Sequence, residues 1–172
     1  MLGPFDASTI TSQRLALHPL RVEDAEEMAI VLADPALHEY TGGQPATLDE
    51  LRARYAAWVH GSGSGDELWL NWVVRRATDD VAIGTVQATV IDPETAPTAL
   101  VAWTIGSPWQ GNGYAGEAAV ALVRWLVASG AVSVVAHVHP DHRASAGVAA
   151  RVGLRPTNVV VAGEVEWRLA RR

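Results

Sequence analysis

The stretch WTIGSPWQGNGYAGEAA, residues 103–119, decides the fold. It begins as the end of a β-rich strand, continues through closely spaced glycines, and runs directly into a helix. Such a helix start exposes unpaired N–H groups and the positive end of the helix dipole, so it attracts phosphate. Glycine also lets the backbone approach an anion closely. The stretch therefore predicts a strand–turn–helix unit that either binds phosphate or serves as an ordinary glycine turn.

Hydrophobic periodicity and turn residues on both sides of this stretch predict the order β-α-α-β-β-β-α-β-α-β-β. The predicted elements span residues 14–18, 22–32, 47–60, 68–75, 81–90 and 98–105, then a helix from the glycine turn to about 129, residues 132–138 and 143–152, and two strands around 162–163. We expect a single α/β (α+β) domain over residues 1–172, with a mixed, mostly antiparallel twisted sheet flanked by helices.

The composition excludes several classes of protein. With 172 residues, 49% of them apolar and 19% charged, the chain can bury one core. It has no cysteine, which excludes a disulfide scaffold, a thiol nucleophile and Cys-ligated metals. All 13 basic residues are arginine, which excludes Schiff-base lysines and Walker-type phosphate binding. The net charge of -6 argues against a nucleic-acid partner and is compatible with a cationic substrate.

Targeting and membrane signals are not found in the sequence. The start, MLGPFDASTI, has neither a basic region nor an apolar run, and no apolar run approaches the roughly 20 residues of a membrane span. We therefore expect a cytoplasmic protein without a membrane partner and without a metal site. A homodimer is a reasonable expectation because dimers are the commonest soluble oligomers.

The glycine turn matches two anion-binding patterns. Residues 111–116, GNGYAG, satisfy G-x-G-x-x-G, the dinucleotide fingerprint. That fingerprint belongs in the first βαβ unit and needs an acid about 20 residues later, but here the corresponding residues are Ala136 and His137. The turn also lies two-thirds of the way along the chain. A dinucleotide-binding oxidoreductase is therefore only a distant alternative.

The second pattern fits better. Residues 110–115, QGNGYA, match Q/R-x-x-G-x-G/A, the coenzyme A pyrophosphate motif of the GNAT superfamily of N-acetyltransferases. The likeness begins at residues 14–20, RLALHPL, includes Ile83-Gly84, and continues through residues 136–145, AHVHPDHRAS, to 152–154. The chain thus resembles GNAT enzymes over most of its length, in particular the branch of ribosomal-protein N-terminal acetyltransferases.

This resemblance implies a GNAT fold in which two parallel neighbouring strands splay at the glycine turn to admit acetyl-CoA. It implies transfer of the acetyl group to a primary amine, either a peptide N-terminus or a small molecule, by direct attack. Main-chain donors around the turn would hold the pyrophosphate, and the preceding strand would pair with the pantetheine arm. The coenzyme-binding residues implied are Trp103, Thr104, Ile105, Gln110, Gly111, Asn112, Gly113, Tyr114, Ala115, Gly116 and Ser145.

Three departures from the family pattern bear on the chemistry. Gly116 stands where relatives often have a hydroxyl residue that touches phosphate, so the chain has one phosphate ligand fewer at this position. His142 stands where relatives usually have Asn, three residues before the serine. Leu100 occupies the strand position that often holds a glutamate base, and leucine cannot take a proton. The last two departures motivate an alternative function, a non-catalytic acyl-CoA-binding sensor or degenerate homologue.

The candidate catalytic residues are Ser145, His142 and His137. Ser145 matches the serine that in some relatives lies near the departing sulfur as proton donor, although it could also cap a helix start. His137 and His139 share one face of their strand, and the ordinary pKa of histidine suits proton transfer at neutral pH. A strand histidine can equally pack against a helix, so these bases are alternatives.

The candidate acceptor-binding residues combine aromatic rings with acids. They are Trp72 and Trp103, on the central strands, and Asp92 and Glu94, in the loop before the strand 98–105. Such a pocket would suit an amine with an apolar body, through burial and cation–π contact. The alternatives are that the tryptophans fill the core and that the loop acids are only solvated.

Overall fold

The computed structural model describes residues 5–169. Its strands and helices, in chain order, are β1 Ile10–Thr11, β2 Leu15–Pro19, α1 Ala25–Val31, α2 Leu48–His60, β3 Glu67–Arg76, β4 Ala82–Ile91, β5 Thr98–Ile105, α3 Tyr114–Ala128, β6 Ser133–Val138, α4 Arg143–Val152, β7 Leu154–Val161 and β8 Glu164–Leu169. The predicted order is confirmed, with the two-residue β1 added. The predicted helix over 22–32 is shorter, because Val22–Asp24 form a 3₁₀ turn before α1.

The sheet has eight strands in the order β1-β2-β3-β4-β5-β6-β8-β7. Every neighbouring pair is antiparallel except β5 and β6, which are parallel. Helix α3 is the crossover that joins these two parallel strands. The expected mixed, mostly antiparallel sheet is therefore confirmed.

Strands β5 and β6 pair only at their starts. Their register covers Thr98 with Ser133, Ala99 with Val134 and Leu100 with Val135, and no further residues. Beyond that point β5 continues beside β4 to Ile105, while β6 continues beside β8 to Val138. The gap between the carboxyl halves of β5 and β6 is called the fork below. It is the splay that the resemblance implies.

Two hydrophobic clusters cover the sheet. The larger lies under α3 and includes Leu15, Trp72, Ile83, Leu122 and Leu126, while the smaller joins α1 and α2 to the other face through residues such as Met28, Tyr55 and Val73. Trp72 is fully buried, and its indole N–H donates to the Ser8 carbonyl at 2.9 Å. The expectation that Trp72 binds the acceptor is therefore wrong, because its place on β3 points it into the core beneath α3.

A close backbone approach fixes the end of β5. A Cβ atom built on Gly84 would lie 2.1 Å from the Thr104 carbonyl oxygen, so β4 must have glycine there. One residue beyond β5, the Gly106 N–H donates to the Ile83 carbonyl at 2.8 Å. The glycine turn therefore starts from a fixed point at the mouth of the fork. Within residues 5–169, no helix is long and apolar enough to cross a membrane.

Candidate active site

A cleft of about 630 Å³ opens at the fork. Its walls come from the segment after α1, the end of β5, the glycine turn with the start of α3, and the start of α4. The lining includes Glu39, Tyr40, Trp103, Thr104, Ile105, Gln110, Gly111, Gly113, Tyr114, Ala115, Gly116, His142, Arg143 and Ser145. Most residues of the implied coenzyme set thus line one cleft.

The glycines of the turn adopt the left-handed conformation. Both Gly111 and Gly113 have φ of +78°, and Gly113 is the N-cap of α3. A Cβ built on Gly111 would meet nothing within 4 Å, and one built on Gly113 would meet only the Arg14 guanidinium, at 3.7 Å. The backbone conformation, rather than crowding, therefore requires glycine. The space above the turn is open to a ligand.

The N–H groups of residues 111–116 are free. They donate to no acceptor within residues 5–169, and α3 has no side-chain cap. Consecutive free donors at a helix start, with the positive end of the helix dipole behind them, form an anion site. The turn therefore fits the diphosphate of a nucleotide carrier.

Gln110 contributes differently from the expectation. Its N–H is already used, because it donates to the Ser107 carbonyl at 3.3 Å. Its side-chain Nε2 donates to the Ile105 carbonyl at 2.9 Å and so ties the turn to the end of β5. Asn112 lies outside the cleft lining and donates its side-chain N–H groups to the carbonyls of Trp109 and Gln110, both at 3.1 Å. Both amide side chains hold the shape of the turn.

Arg14 attaches the turn to the N-terminal strands, a contact that the sequence does not reveal. Its Nε donates to Glu117 at 2.7 Å, its Nη1 donates to the Asn112 carbonyl at 3.1 Å, and its guanidinium lies 4.6 Å from the ring centre of Tyr114. Burial raises the pKa of Glu117, but hydrogen bonds from Ser12 and Arg14 outweigh it and leave the pKa below its ordinary value. Glu117 is therefore a charged anchor for Arg14.

Ser145 faces the glycine turn from the start of α4. Its side chain is half-buried and lines the cleft. The hydroxyl has no hydrogen-bond partner in the described part of the chain, and α4 has no side-chain cap. The alternative that Ser145 only caps the helix therefore lacks support, and its hydroxyl can reach a ligand.

His142 is the N-cap of α4 and lines the same cleft. Its ring stacks on Tyr40, with centroids 4.3 Å apart, and Tyr40 also contacts His139 at 5.3 Å. Burial lowers the pKa of His142, although the charges of Glu39 and Glu164 act in the opposite direction. The ring is therefore neutral at neutral pH and can accept a proton.

His137 is not brought to the cleft. Val134, Ala136 and Val138 of β6 pack in the cluster under α3, so the alternating His137 points to the other face, opposite Glu166 of β8. His137 does not line the cleft, whereas His139, two residues later, contacts Tyr40. The expectation of a catalytic His137 is therefore wrong, because its side chain lies on the face of β6 away from α3 and outside the cleft lining.

Asp92 and Glu94 lie in the predicted loop, but this loop is not part of the cleft. They follow β4 and precede β5, at the opposite end of that hairpin from the cleft. The length of β5 separates that end from Ile105 by about 23 Å. Asp92 accepts a hydrogen bond from the Thr95 hydroxyl at 2.5 Å within its own loop. Of the predicted acceptor residues, only Trp103 lines the cleft.

No titratable side chain replaces the missing glutamate on β5. Leu100 is half-buried and is the last residue of β5 to pair with β6. Within residues 5–169, no group of His, Cys, Asp or Glu side chains could hold a metal ion. The proton acceptors that do line the cleft are His142 and acids such as Glu39, on the wall opposite the glycine turn.

Two parallel strands that separate beside an anion-binding helix start define a class of enzyme that binds an acyl carrier by its diphosphate. The model of the acetyltransferase (GNAT) domain matches residues 14–155, and the chain belongs to this family. It is therefore an acetyltransferase that uses acetyl-CoA as donor. No curated protein matches the sequence.

Solved structures share the fold over nearly the whole chain. An acetyltransferase from Agrobacterium tumefaciens is 24% identical, with a TM-score of 0.73 over 97% of this chain and 96% of that one. A GNAT-family acetyltransferase from Bacillus anthracis is 17% identical, with a TM-score of 0.73 over 94% and 96%. RimL, a ribosomal L7/L12 α-N-protein acetyltransferase in complex with coenzyme A, is 16% identical, with a TM-score of 0.73 over 94% and 95%. At these identities the likeness supports the fold.

Proposed function

We propose that residues 1–172 act as one acyltransferase domain that acetylates a cationic primary amine by direct attack. The observation that carries the proposal is the pairing of two walls in one cleft. The free N–H groups of residues 111–116 form one wall, and the unpaired hydroxyl of Ser145 and the neutral ring of His142 lie on the other. Acetyl-CoA supplies the acetyl group as a thioester.

The end of β5 orients the donor in this proposal. Gly106 bonds to Ile83 of β4, and alternate residues of an antiparallel ladder bond to the same neighbour. The backbone groups of Trp103 and Ile105 therefore point away from β4, into the fork. An N–H at this position would polarise a thioester carbonyl, which is commonly worth about 2.7–4 kcal/mol per donor.

The side chains of the opposite wall accept and donate protons. His142 takes the proton from the acceptor ammonium or from the attacking amine, because burial keeps the ring neutral. Ser145 donates a proton to the departing sulfur from the start of α4, and its oxygen regains a proton from water, to which His142 releases the proton taken from the amine. Direct attack needs only these transfers and the alignment of two substrates, since the chain has no cysteine to carry the acetyl group.

The acceptor is a primary amine whose positive charge is drawn to the α4 wall. Glu39 and Glu164 both act on His142 electrostatically, and Tyr40 presents an aromatic ring beside them. An ammonium group suits this surface through ion pairing and cation–π contact. A peptide N-terminus and a small-molecule amine both satisfy this chemistry. The cytoplasmic location and the homodimer stay predictions.

The proposal is tested with acetyl-CoA, a panel of amines and separate readouts for turnover and binding. Thiol release measures turnover, mass spectrometry identifies the acetylated amine, and calorimetry measures coenzyme binding without an acceptor. The panel contains short peptides with free and blocked N-termini, polyamines, aminoglycosides and free amino acids. We expect thiol release that matches one free amine class. Binding without release on any amine would favour a non-catalytic sensor, and absence of binding would refute the proposal.

A further inference from the structure

The first turn of α3 is in contact with an arginine from α4. A Cβ built on Gly116 would lie 2.6 Å from Cδ and 3.2 Å from Nε of Arg151. Gly116 is buried and lines the cleft. The stem of Arg151 thus fills the space that a side chain at position 116 would need. A side chain at position 116 would therefore have to displace the stem of Arg151.

The charge of Arg151 has no partner in the described part of the chain. Its side chain is exposed and makes no hydrogen bond or ion pair with residues 5–169. Arg14 and Arg75 bind Glu117 and Glu27, whereas Arg124 and Arg143, like Arg151, have no side-chain partner among the described residues. Its contact with Gly116 distinguishes Arg151 from the other arginines that have no partner among residues 5–169. Arg151 lies beside the N-terminal turn of α3, where anions are attracted.

We propose that Arg151 is a phosphate ligand of the coenzyme and takes the place of the hydroxyl that glycine at position 116 cannot supply. The inference rests on the proposed placement of the diphosphate against residues 111–116. A guanidinium offers several N–H donors in a fixed fork and binds phosphate oxygens in pairs. A hydroxyl at position 116 would supply one neutral donor, whereas Arg151 supplies charged donors to the same region from the neighbouring helix.

The first experiment measures coenzyme affinity directly. Calorimetry gives the dissociation constants of coenzyme A and of dephospho-coenzyme A for the wild type, Arg151→Gln and Arg124→Gln. Arg124 is the matched control, because it is exposed, lies on α3 and loses the same charge. We expect Arg151→Gln to weaken coenzyme A about tenfold and Arg124→Gln to change it less than twofold.

The two ligands identify the phosphate that Arg151 contacts. If both are weakened equally by Arg151→Gln, the contact is to the diphosphate. If only coenzyme A is weakened, the contact is to the 3′-phosphate, and the inference that Arg151 replaces the hydroxyl at the diphosphate is overturned. An unchanged affinity for both would overturn the inference and leave Arg151 as a charge that only stabilises the C-terminus of α4.

A second pair of variants tests whether positions 116 and 151 are energetically coupled. Gly116→Ser should weaken binding in the wild type, because the new side chain displaces Arg151. The same change in an Arg151→Ala background should restore part of the affinity, because the serine hydroxyl then has room. Additive effects would overturn the inference. Thermal unfolding of each variant separates loss of binding from loss of fold.

Failure of this inference is distinguishable from failure of the proposed function. A wild type that binds no coenzyme A would refute the proposed placement itself. A wild type that binds, together with Arg151 variants that bind equally well, would refute only the role of Arg151.

Discussion

The two walls of the cleft are built by different means. The wall against which we propose that the diphosphate binds consists of backbone N–H groups from one contiguous segment, residues 111–116. The opposite wall consists of side chains from distant segments, namely Glu39 and Tyr40 after α1, and His142 and Ser145 at α4. A backbone site follows from local sequence, because glycine and a helix start create it. A side-chain site depends on which segments the fold brings together.

The largest expected effect comes from a charge placed on the backbone wall. Gly113→Glu puts a carboxylate against the phosphate site, and juxtaposed like charges cost several kcal/mol. We expect coenzyme affinity to fall at least 100-fold by calorimetry. Gly63→Glu is the matched control, because Gly63 also has positive φ, +71° compared with +78° for Gly113, and lies in an exposed loop. Equal losses in the two variants would show that backbone strain, rather than the phosphate site, is responsible.

The next effect separates turnover from binding. Ser145→Ala removes the free hydroxyl of the side-chain wall, and we expect kcat to fall about 100-fold because proton donors contribute at least that much. The affinity for acetyl-CoA should stay within twofold, since the backbone wall is untouched. Ser129→Ala, at the far end of α3, serves as control. An unaltered kcat would remove Ser145 from the mechanism.

A smaller effect tests the electrostatics around His142. Burial lowers the pKa of His142, and the charge of Glu39 partly opposes this shift. We therefore expect kcat/KM to fall only at pH values below the ordinary pKa of histidine. Glu39→Gln removes a charge that raises this pKa, so the acid limb should move to lower pH. The acceptor KM should rise up to about fivefold, as for one exposed ion pair. Glu23→Gln, an exposed acid on the first 3₁₀ turn, is the control. An acid limb that moves to higher pH would contradict the assignment.

The smallest effect is expected at the loop that the sequence suggests for the acceptor. Asparagine tolerates the positive φ of 51° at position 92, so Asp92→Asn removes the charge without straining the backbone. Because the loop lies at the opposite end of β5 from the cleft, KM for the acceptor and kcat should be unchanged. A raised acceptor KM, measured beside Glu39→Gln, would place part of the acceptor on this loop.

The fold and the backbone wall can be predicted from the sequence because their rules are local. Periodicity predicts the ends of β5 and α4 to the residue, and the glycine spacing predicts the free N–H groups. A period of two shows which strand residues share a face, but it does not show which face meets a helix. For that reason the sequence favours a pocket for Trp72, which lies in the core.

The contacts between the glycine turn and distant segments cannot be predicted from the sequence, for a second reason. Arg14 and Glu117 are separated by 103 residues, and nothing in either local pattern indicates the pairing. The motif does indicate Gly116 as a departure, but its neighbour Arg151 lies on another helix. A ligand missing from a motif is a signal to look on the neighbouring helix for a replacement.

The brief pairing between β5 and β6 has a consequence for how long the folded enzyme survives. Only the pairs from Thr98 with Ser133 to Leu100 with Val135 join the two halves of the sheet, so this seam is a weak point for local opening. A donor molecule that binds only the folded protein, at a concentration of 100 times its Kd, adds about 2.7 kcal/mol to the free energy of unfolding. Resistance to heat and to proteolysis should therefore follow the cellular supply of acetyl-CoA, and a starved cell would hold the enzyme in its most fragile state.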